Sequence, residues 1–262
     1  MPEQNQPFLP WVGGKRAVAD QIIPHIPTGL DTYYEPFLGG GALFFRVREK
    51  FKKHALSDIN LRLITSYNAV KKNPDAVLEK LKEHVGKDSK EYFKELQLCP
   101  DVNDPVQLAA NFIYLVNMSF YRMYRVAKDN TFRMSYRTNR KLSVETLKYN
   151  MTRCSVQLQG VPVTAGDFSF MEPGKNDFVY MDPPYHKAGE DMYTPLPFDE
   201  KEQIRLKNFA DELNKNGTRF AVSNSDTPFI RDLYKDYQQK EIVVKYQIGK
   251  HPVKTELLIT NG

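Results

Sequence analysis

The chain has 262 residues and a composition typical of a soluble globular protein, enough for one enlarged α/β domain or for a core that carries a smaller insert. No stretch approaches the roughly 20 apolar residues of a membrane span, and the polar segment before Trp11 has no signal-peptide core, so we expect an intracellular protein without a membrane partner. The net charge is a modest +5, and the two cysteines lie outside any CxxC or Cys/His cluster, so neither a disulfide framework nor a metal site is expected.

A β-loop-α-β unit is the first predicted element group. Thr32–Phe37 is a short aromatic strand that runs into Leu38-Gly39-Gly40-Gly41, Ala42–Lys50 follows as a helix, and His54–Ser57 is the second strand. Three consecutive glycines are often only a flexible turn. Their position between a strand and a helix favours a loop that a ligand approaches closely.

Asp58 ends the second strand, 17 residues after Gly41. This is close to the spacing of about 20 residues at which an acidic side chain binds a ribose hydroxyl. The alternative is a helix cap or a turn residue. We favour ribose binding because the glycine loop precedes it.

The middle of the chain, about residues 62–153, is predicted as an inserted subdomain between two parts of the main domain, residues 1–61 and 154–262. Apolar spacing favours helices at Asp75–His84 and Val106–Val116. Tyr124–Tyr136 has a different pattern. Its apolar residues flank the polar bend Lys128-Asp129-Asn130, which predicts two short strands in a β-hairpin.

Basic residues concentrate in Met118–Lys148, where eight basic residues stand against two acidic ones, so this stretch carries +6 and the rest of the chain −1. A basic run is often only a solvated face. Here aromatic residues are interleaved with the cations. That combination favours a nucleic-acid partner, because cations neutralise phosphates and rings pack on sugars or bases.

Strands and helices alternate again after the insert. Strands are predicted at Pro162–Ala165, Phe178–Met181, Arg219–Val222, Glu241–Tyr246 and Glu256–Thr260, with helices at Asp199–Lys215 and Pro228–Tyr234. Successive strand-helix pairs predict an α/β fold with a doubly wound, largely parallel sheet. Its last two strands could form an antiparallel pair.

The sharpest signal is Met181-Asp182-Pro183-Pro184-Tyr185, which follows an apolar strand and should lie at the edge of the sheet where open α/β folds bind ligands. Two prolines remove two backbone donors and fix two φ angles, which leaves a stiff turn with free carbonyls. The aspartate adds an acceptor, and the tyrosine adds a ring on which a planar base can stack. The alternative is a proline-rich turn with an incidental carboxylate.

Asp182-Pro183-Pro184-Tyr185 resembles the catalytic motif of amino-group DNA methyltransferases. Phe8-Leu9-Pro10-Trp11-Val12-Gly13-Gly14-Lys15 and Tyr34-Glu35-Pro36-Phe37-Leu38-Gly39-Gly40-Gly41 resemble the opening of the Dam-type adenine methyltransferases (D12 class, alpha motif order). The resemblance covers nearly the whole chain. It implies a Rossmann-like methyltransferase domain and a site-specific enzyme that transfers a methyl group from S-adenosylmethionine to the N6 amine of a flipped adenine in duplex DNA.

The resemblance also implies roles for individual residues. In the family, the aspartate side chain and the first proline's carbonyl accept the N–H groups of the adenine amine and the tyrosine stacks on the base, so the implied catalytic residues are Asp182, Pro183, Pro184 and Tyr185. The implied S-adenosylmethionine pocket comprises Trp11, Gly14, Lys15, Glu35, Pro36, Phe37, Gly39, Gly41, Asp58, Asp167 and Asp182. Trp11 could instead be a core residue, and Asp167 a turn aspartate.

The expected DNA-binding residues lie in the basic stretch and are Arg122, Tyr124, Arg125, Lys128, Asn130, Arg133, Ser135 and Arg137. Here the chain departs from the family. Tyr121-Arg122-Met123 stands where Dam-type enzymes usually have Asn-Gly-Leu, and Phe132-Arg133-Met134-Ser135-Tyr136-Arg137 stands where they have Phe-Asn-Val-Pro-Phe-Gly. GATC is the first hypothesis for the target site, but new arginines could change it, since an Arg–guanine contact contributes about 1–3 kcal/mol of discrimination. They could also contact phosphates alone.

Two other functions stay open: an RNA adenine methyltransferase, and a DNA-binding homologue that has lost turnover. Glutamine methyltransferases tend to carry Asn at the position of Asp182, and cytosine-N4 enzymes commonly carry Ser, so Asp182 favours adenine. The resemblance further implies a monomer of prokaryotic or phage origin that acts on double-stranded DNA inside the cell.

Overall fold

The computed structural model describes residues 7–139, 141–187, 197–245 and 253–262. One seven-stranded sheet, in the order β3-β2-β1-β4-β5-β7-β6, forms its centre. The strands are β1 (Thr32–Glu35), β2 (Lys53–Asp58), β3 (Val163–Ala165), β4 (Phe178–Met181), β5 (Arg219–Ser225), β6 (Gln238–Lys245) and β7 (Val253–Thr260). The strands predicted outside the middle segment are confirmed, with bounds shifted by a few residues; Tyr246, the predicted end of β6, lies outside the described residues.

The sheet is doubly wound, as the sequence predicts. β1 pairs in parallel with β2 on one side and with β4 on the other, so the chain reverses its direction of winding between these two strands. β2–β3 and β4–β5 are also parallel. β7 lies between β5 and β6 and is antiparallel to both, which confirms the antiparallel pair at the end of the sheet.

The helices accompany this sheet, and all of the described α-helices except α1 and α2 begin at a residue whose side chain caps the helix. They are α1 (Ala19–Ile22), α2 (Phe44–Val47), α3 (Leu61–Lys72), α4 (Pro74–Gly86), α5 (Lys90–Leu98), α6 (Pro105–Met118), α7 (Val144–Leu158), α8 (Glu200–Lys215) and α9 (Pro228–Leu233). Asn60 caps α3 by accepting the Leu63 N–H, and Asp199 caps α8 by accepting two N–H groups. Side-chain caps of this kind satisfy backbone donors that a helix leaves open.

The predicted single helix Ala42–Lys50 is wrong in detail. It is α2, of four residues, followed by a separate 3-10 turn at Arg48–Lys50. The Arg48 carbonyl bonds to the ring of His54, a residue of the next strand, at 2.9 Å. The chain thus leaves the α-helix after Val47 and reaches β2 through a 3-10 turn, which is common at the end of an α-helix.

The middle segment is mainly helical, and it packs against the main sheet through α3. The side chains of Asn68 and Lys71 donate to the backbone carbonyls of Val163 and Val161, next to β3. One apolar cluster includes residues of the sheet, of α3 and of the middle segment. The division at residues 62–153 stays a prediction.

The predicted hairpin is present as two isolated antiparallel bridges, Val126–Phe132 and Ser119–Tyr136, and we call residues 119–137 the basic hairpin. It turns at Asn130, whose φ is 63°. Its side chains alternate: Tyr124, Val126, Phe132 and Met134 are buried, and the arginines between them are exposed. Alternation of this kind fixes which side chains a partner can reach. Among the described residues, every helix is too short or too polar to cross a membrane.

Candidate active site

A large cavity lies at the carboxyl ends of β1 and β4, where the winding of the sheet reverses. Open α/β sheets bind their ligands at this point. The cavity has a volume of about 1160 Å³. The residues predicted for the cofactor pocket and for catalysis all line it: Trp11, Gly14, Lys15, Glu35, Pro36, Phe37, Gly39, Gly41, Asp58, Asp167, Asp182, Pro183, Pro184 and Tyr185. Their individual roles stay predictions.

The glycine loop after β1 is packed tightly against Trp11. A Cβ on Gly39 would lie 2.8 Å from Cδ1 of Trp11, and a Cβ on Gly40 would lie 2.9 Å from its Cβ. Gly39 and Gly41 also have positive φ angles, 46° and 64°. Larger residues would therefore have to push the indole away from the cavity wall.

Asp58, at the end of β2, holds this loop in place. Its two carboxylate oxygens accept the backbone N–H groups of Gly39 and Asn60, each at 2.9 Å. Burial raises the pKa of Asp58 to about 6, although both hydrogen bonds oppose the shift. The carboxylate thus orders the loop while it also lines the cavity.

Asp182 and Lys15 form an ion pair in the cavity. Lys15 Nζ lies 2.8 Å from Asp182 Oδ1 and donates to the Gly13 carbonyl at 2.7 Å. Burial raises the pKa of Asp182 to about 6; the Lys15 ammonium lowers it, and the nearby Glu256 raises it further. The segment Asp182–His186, which we call the diproline turn, therefore presents a carboxylate that is easily protonated.

Tyr185 is fixed from two sides. Its hydroxyl donates to Glu256 Oε2 at 2.9 Å, and Lys15 Nζ lies 4.7 Å from the centre of its ring. Glu256 is a residue that the sequence analysis missed. It lies in β7, 71 positions from Tyr185, and no local motif marks it.

Glu35 is a second buried carboxyl at the end of β1. It is 3% exposed and accepts the Tyr33 hydroxyl at 2.8 Å. Burial raises its pKa to about 8, and the negative charge of Asp182 adds to the shift. Buried carboxyl groups whose charged forms are disfavoured in this way would be stabilised by a cationic or hydrogen-bond-donating ligand.

Asp167 already has a cationic partner. Its two oxygens accept from the Arg205 guanidinium at 2.7 and 2.8 Å, and Arg205 lies over the Phe168 ring at 4.0 Å. Arg205 holds the pKa of Asp167 well below its usual range. Asp167 also accepts the Ser169 N–H, as expected for a turn aspartate, the alternative role given for it in the sequence analysis. Arg205, in α8, was not anticipated from the sequence.

The predicted DNA-binding residues divide into two groups. Seven of them are exposed on the basic hairpin: Arg122, Arg125, Lys128, Asn130, Arg133, Ser135 and Arg137. Tyr124 is instead buried, with its ring stacked on Trp11 at 5.2 Å between centroids. Asn130 is exposed, but its carbonyl and side-chain oxygens accept from Arg62 Nη1.

Arg62, in the first turn of α3, joins the basic hairpin to the segment that follows Asp58. Its guanidinium binds Asp101 and lies 4.5 Å from the centre of the Phe132 ring. With the Tyr124–Trp11 stack, it gives the hairpin two direct contacts with residues that line the cavity.

Known proteins resemble this chain over most of its length. A sequence model described as the D12 class N6 adenine-specific DNA methyltransferase matches residues 11–248. The Type II methyltransferase M1.LlaDCHI of Lactococcus lactis subsp. cremoris is 32% identical over 98% of this chain and 95% of its own. The Type II methyltransferase M.MjaIII of Methanocaldococcus jannaschii is 33% identical over 98% and 99%.

Similarity extends beyond the Type II methyltransferases. A DNA adenine methylase of Haemophilus influenzae is 28% identical over 96% of this chain and 90% of its own. Among solved structures, Thermoplasma acidophilum 1320 aligns with 99% of this chain and 90% of its own, at a TM-score of 0.40 and 10% identity. That structural likeness is too low to carry an argument.

Proposed function

Since this chain belongs to the D12 class of N6 adenine-specific DNA methyltransferases, we propose that it transfers a methyl group from S-adenosylmethionine to a flipped adenine in double-stranded DNA. The observation that carries the proposal is the common cavity: the diproline turn and the glycine loop line it together. A methyl acceptor and a methyl donor must meet in such a space, with the reacting atoms within contact distance.

The residues present fit S-adenosylmethionine. The buried carboxyl group of Glu35 and the half-buried ones of Asp58 and Asp182 line one cavity, and loss of water contact raises the pKa of each. Cations and hydroxyl donors would stabilise the charged carboxylates, and the cofactor carries a sulfonium, an ammonium and ribose hydroxyls. When bound, it supplies an electrophilic methyl group. Asp58 and the glycine loop would hold its nucleoside part, and Trp11 would form the wall behind.

The diproline turn would orient the amine. The lone pair of an adenine amine is delocalised into the ring, so the amine is a weak nucleophile. Hydrogen bonds from its two N–H groups to Asp182 and to the Pro183 carbonyl would favour a pyramidal nitrogen with a directed lone pair. Lys15 neutralises Asp182 in the structure, and its ammonium lies on a face of Tyr185 that a stacked base would use.

The basic hairpin would hold the duplex. Its exposed arginines suit phosphates and guanine edges, and extracting the base costs a few kcal/mol of stacking and pairing. GATC is the proposed site, read by a monomer inside a prokaryotic cell or during phage infection. The Type II methyltransferase names of the relatives support a role beside a restriction enzyme.

The direct test is to incubate the protein and S-adenosylmethionine with genomic DNA that lacks adenine methylation, and to map N6-methyladenine by single-molecule sequencing. We expect methylated adenines in one recurring motif. The same reaction with single-stranded RNA of equal base composition is the comparison. Methylation of RNA alone, or cofactor binding without any methylation, would contradict the proposal.

A further inference from the structure

The diproline turn has few means of holding itself in place. Pro183 and Pro184 lack backbone N–H groups, so neither can donate to the rest of the fold. The Pro184 carbonyl accepts a hydrogen bond from Gln203 Nε2, at 2.9 Å. Gln203 is fully buried on α8, 19 positions further along the chain.

A second buried amide continues this contact. Asn224 Nδ2, from β5, donates to Gln203 Oε1 at 2.9 Å. Asn224 Oδ1 in turn accepts the backbone N–H of His186 at 3.2 Å. Ser225 Oγ donates to the His186 carbonyl at 2.7 Å. The two amides therefore hold the backbone on both sides of Tyr185.

The orientation of both amides is determined by their end partners. The Pro184 carbonyl can only accept and the His186 N–H can only donate, so Gln203 must present its NH₂ group to one and Asn224 its oxygen to the other. The remaining oxygen and NH₂ group then bond to each other. Both side chains are 0% exposed, so a broken bond would leave buried polar atoms unsatisfied.

We propose that Gln203 and Asn224 are positioning residues that set the direction of the Pro183 carbonyl and of the Tyr185 ring. The Pro184 ring fixes φ at that residue, so an anchored Pro184 carbonyl leaves the preceding peptide little freedom. The inference rests on the proposed catalytic role of the diproline turn. β7 supports the same assembly, since Glu256 pairs in register with Ser225 and binds the Tyr185 hydroxyl.

The test is Gln203→Glu, which keeps the shape of the side chain. An ionised glutamate cannot donate to Pro184, whereas a protonated one can supply the donor to Pro184 and the acceptor for Asn224 that Gln203 supplies. Burial raises the pKa of a carboxyl group, as it does for Glu35. In Gln203→Glu above that pKa, and in Gln203→Met at any pH, we expect single-turnover methylation of duplex DNA to fall about 10- to 100-fold, because small displacements of reacting groups have effects of this size. Cofactor and duplex dissociation constants should change less than about threefold.

The distinguishing readout is the ratio of the variant rate to the wild-type rate as a function of pH. Dividing by the wild-type rate removes the titration of Asp182, and the ratio should rise as pH falls and the carboxyl group introduced by Gln203→Glu gains a proton. The matched control is Gln159→Glu, an exposed glutamine that donates to the backbone carbonyls of Lys71 in α3 and Ser155 in α7. Its ratio should stay near one at every pH.

Gln203→Met has neither donor nor acceptor at any pH, so a Gln203→Met rate equal to wild type, or a reduced Gln203→Glu rate whose ratio to wild type is independent of pH, would overturn the proposal. Hydrogen exchange of the His186 amide is measured at pH 8 and should be faster in Gln203→Met than in wild type. If wild type methylates no DNA, the proposed function has failed. Unchanged exchange in the variant would then overturn the positioning role separately.

Discussion

The diproline turn and the basic hairpin hold their polar groups in opposite ways. In the turn, Asp182, Pro184 and Tyr185 each have a partner inside the protein, and the supporting amides are fully buried. In the hairpin, the inward side chains are packed, but the arginines on the other face extend into solvent. Residues of both regions line the same cavity, and the Tyr124–Trp11 stack joins the hairpin to the cavity wall.

This difference separates two demands on the protein. Groups that act on the reacting atoms gain from being fixed before the substrate arrives, because no reorganisation is then needed during the reaction. Groups that meet a phosphate backbone can adjust on contact, because long charged side chains gain electrostatic energy over a range of geometries. Variants in the diproline turn should therefore change the rate of methylation, and variants on the outer face of the basic hairpin should change the affinity for duplex DNA.

The largest effect is expected for Asp182→Asn. The side chain keeps its shape but loses the charge that attracts the amine, so single-turnover methylation should fall on the order of 100- to 1000-fold while duplex affinity changes little. Quenched-flow assays and a DNA-binding titration measure the two quantities. Asp232→Asn, an exposed aspartate of α9, serves as the control. Near-normal turnover in Asp182→Asn would remove Asp182 from the chemistry.

The effect of pH on kcat/KM should be smaller than the effect of Asp182→Asn. Asp182 has its pKa raised to about 6, so it is protonated below that pH and accepts hydrogen bonds more weakly. The value of kcat/KM, which reports the free enzyme, should rise about tenfold per pH unit below 6 and level off above it. Lys15→Met removes the ammonium that lowers this pKa, so the rise should move to higher pH. A profile that falls from pH 5 to 7 would contradict the assignment.

On the hairpin, Arg133→Asn should weaken binding to duplex DNA or change the preferred site, with the rate at saturating DNA unchanged. If Arg133 contacts a phosphate, the slope of log affinity against log salt should decrease by about 0.9. If it reads a base, discrimination at one position should fall by about 1–3 kcal/mol. Lys215→Asn, an exposed cation at the end of α8, is the comparison. Unaltered affinity and preference would exclude Arg133 from the DNA surface.

The smallest effect is expected for Tyr124→Leu, which removes the stack between the hairpin and Trp11 in the cavity wall. We expect a loss of about 0.5–1.5 kcal/mol in the free energy of unfolding, together with weaker cofactor binding, because Trp11 loses its support. Trp11 is the only tryptophan of the chain, so its fluorescence reports cofactor binding directly. Cofactor affinity unchanged in this variant would show that the hairpin and the cavity are energetically independent.

The sequence predicted features whose signal is local. β4 followed by Asp182 and two prolines, the glycine loop after β1, and Asp58 at the end of β2 each occupy one short segment, and all line the cavity. The sequence also predicted the hairpin itself. It did not predict that Tyr124 is buried, because only the fold brings Trp11 against the Tyr124 ring.

Residues that support the site from a distance were missed for a physical reason. Gln203 looks like any polar residue of an amphipathic helix, and Asn224 lies in the polar last part of β5, beyond the strand predicted at Arg219–Val222, where no local motif marks it. Each acquires its role only when α8 and β5 pack beside the diproline turn. Glu256 is the same case, because its position depends on β7 entering the sheet between β5 and β6.

The placement of β7 has a consequence for how the protein forms on the ribosome. β6 is synthesised before β7 but lies outside it in the sheet, so β5 has no partner on that side until β7 has been made. A nascent chain that ends at Lys245 already contains the diproline turn, yet it lacks Glu256 and exposes the unpaired edge of β5. Such an edge is prone to pairing with other chains. Chaperone capture should therefore be strongest between the emergence of β5 from the ribosome and the entry of β7 into the sheet.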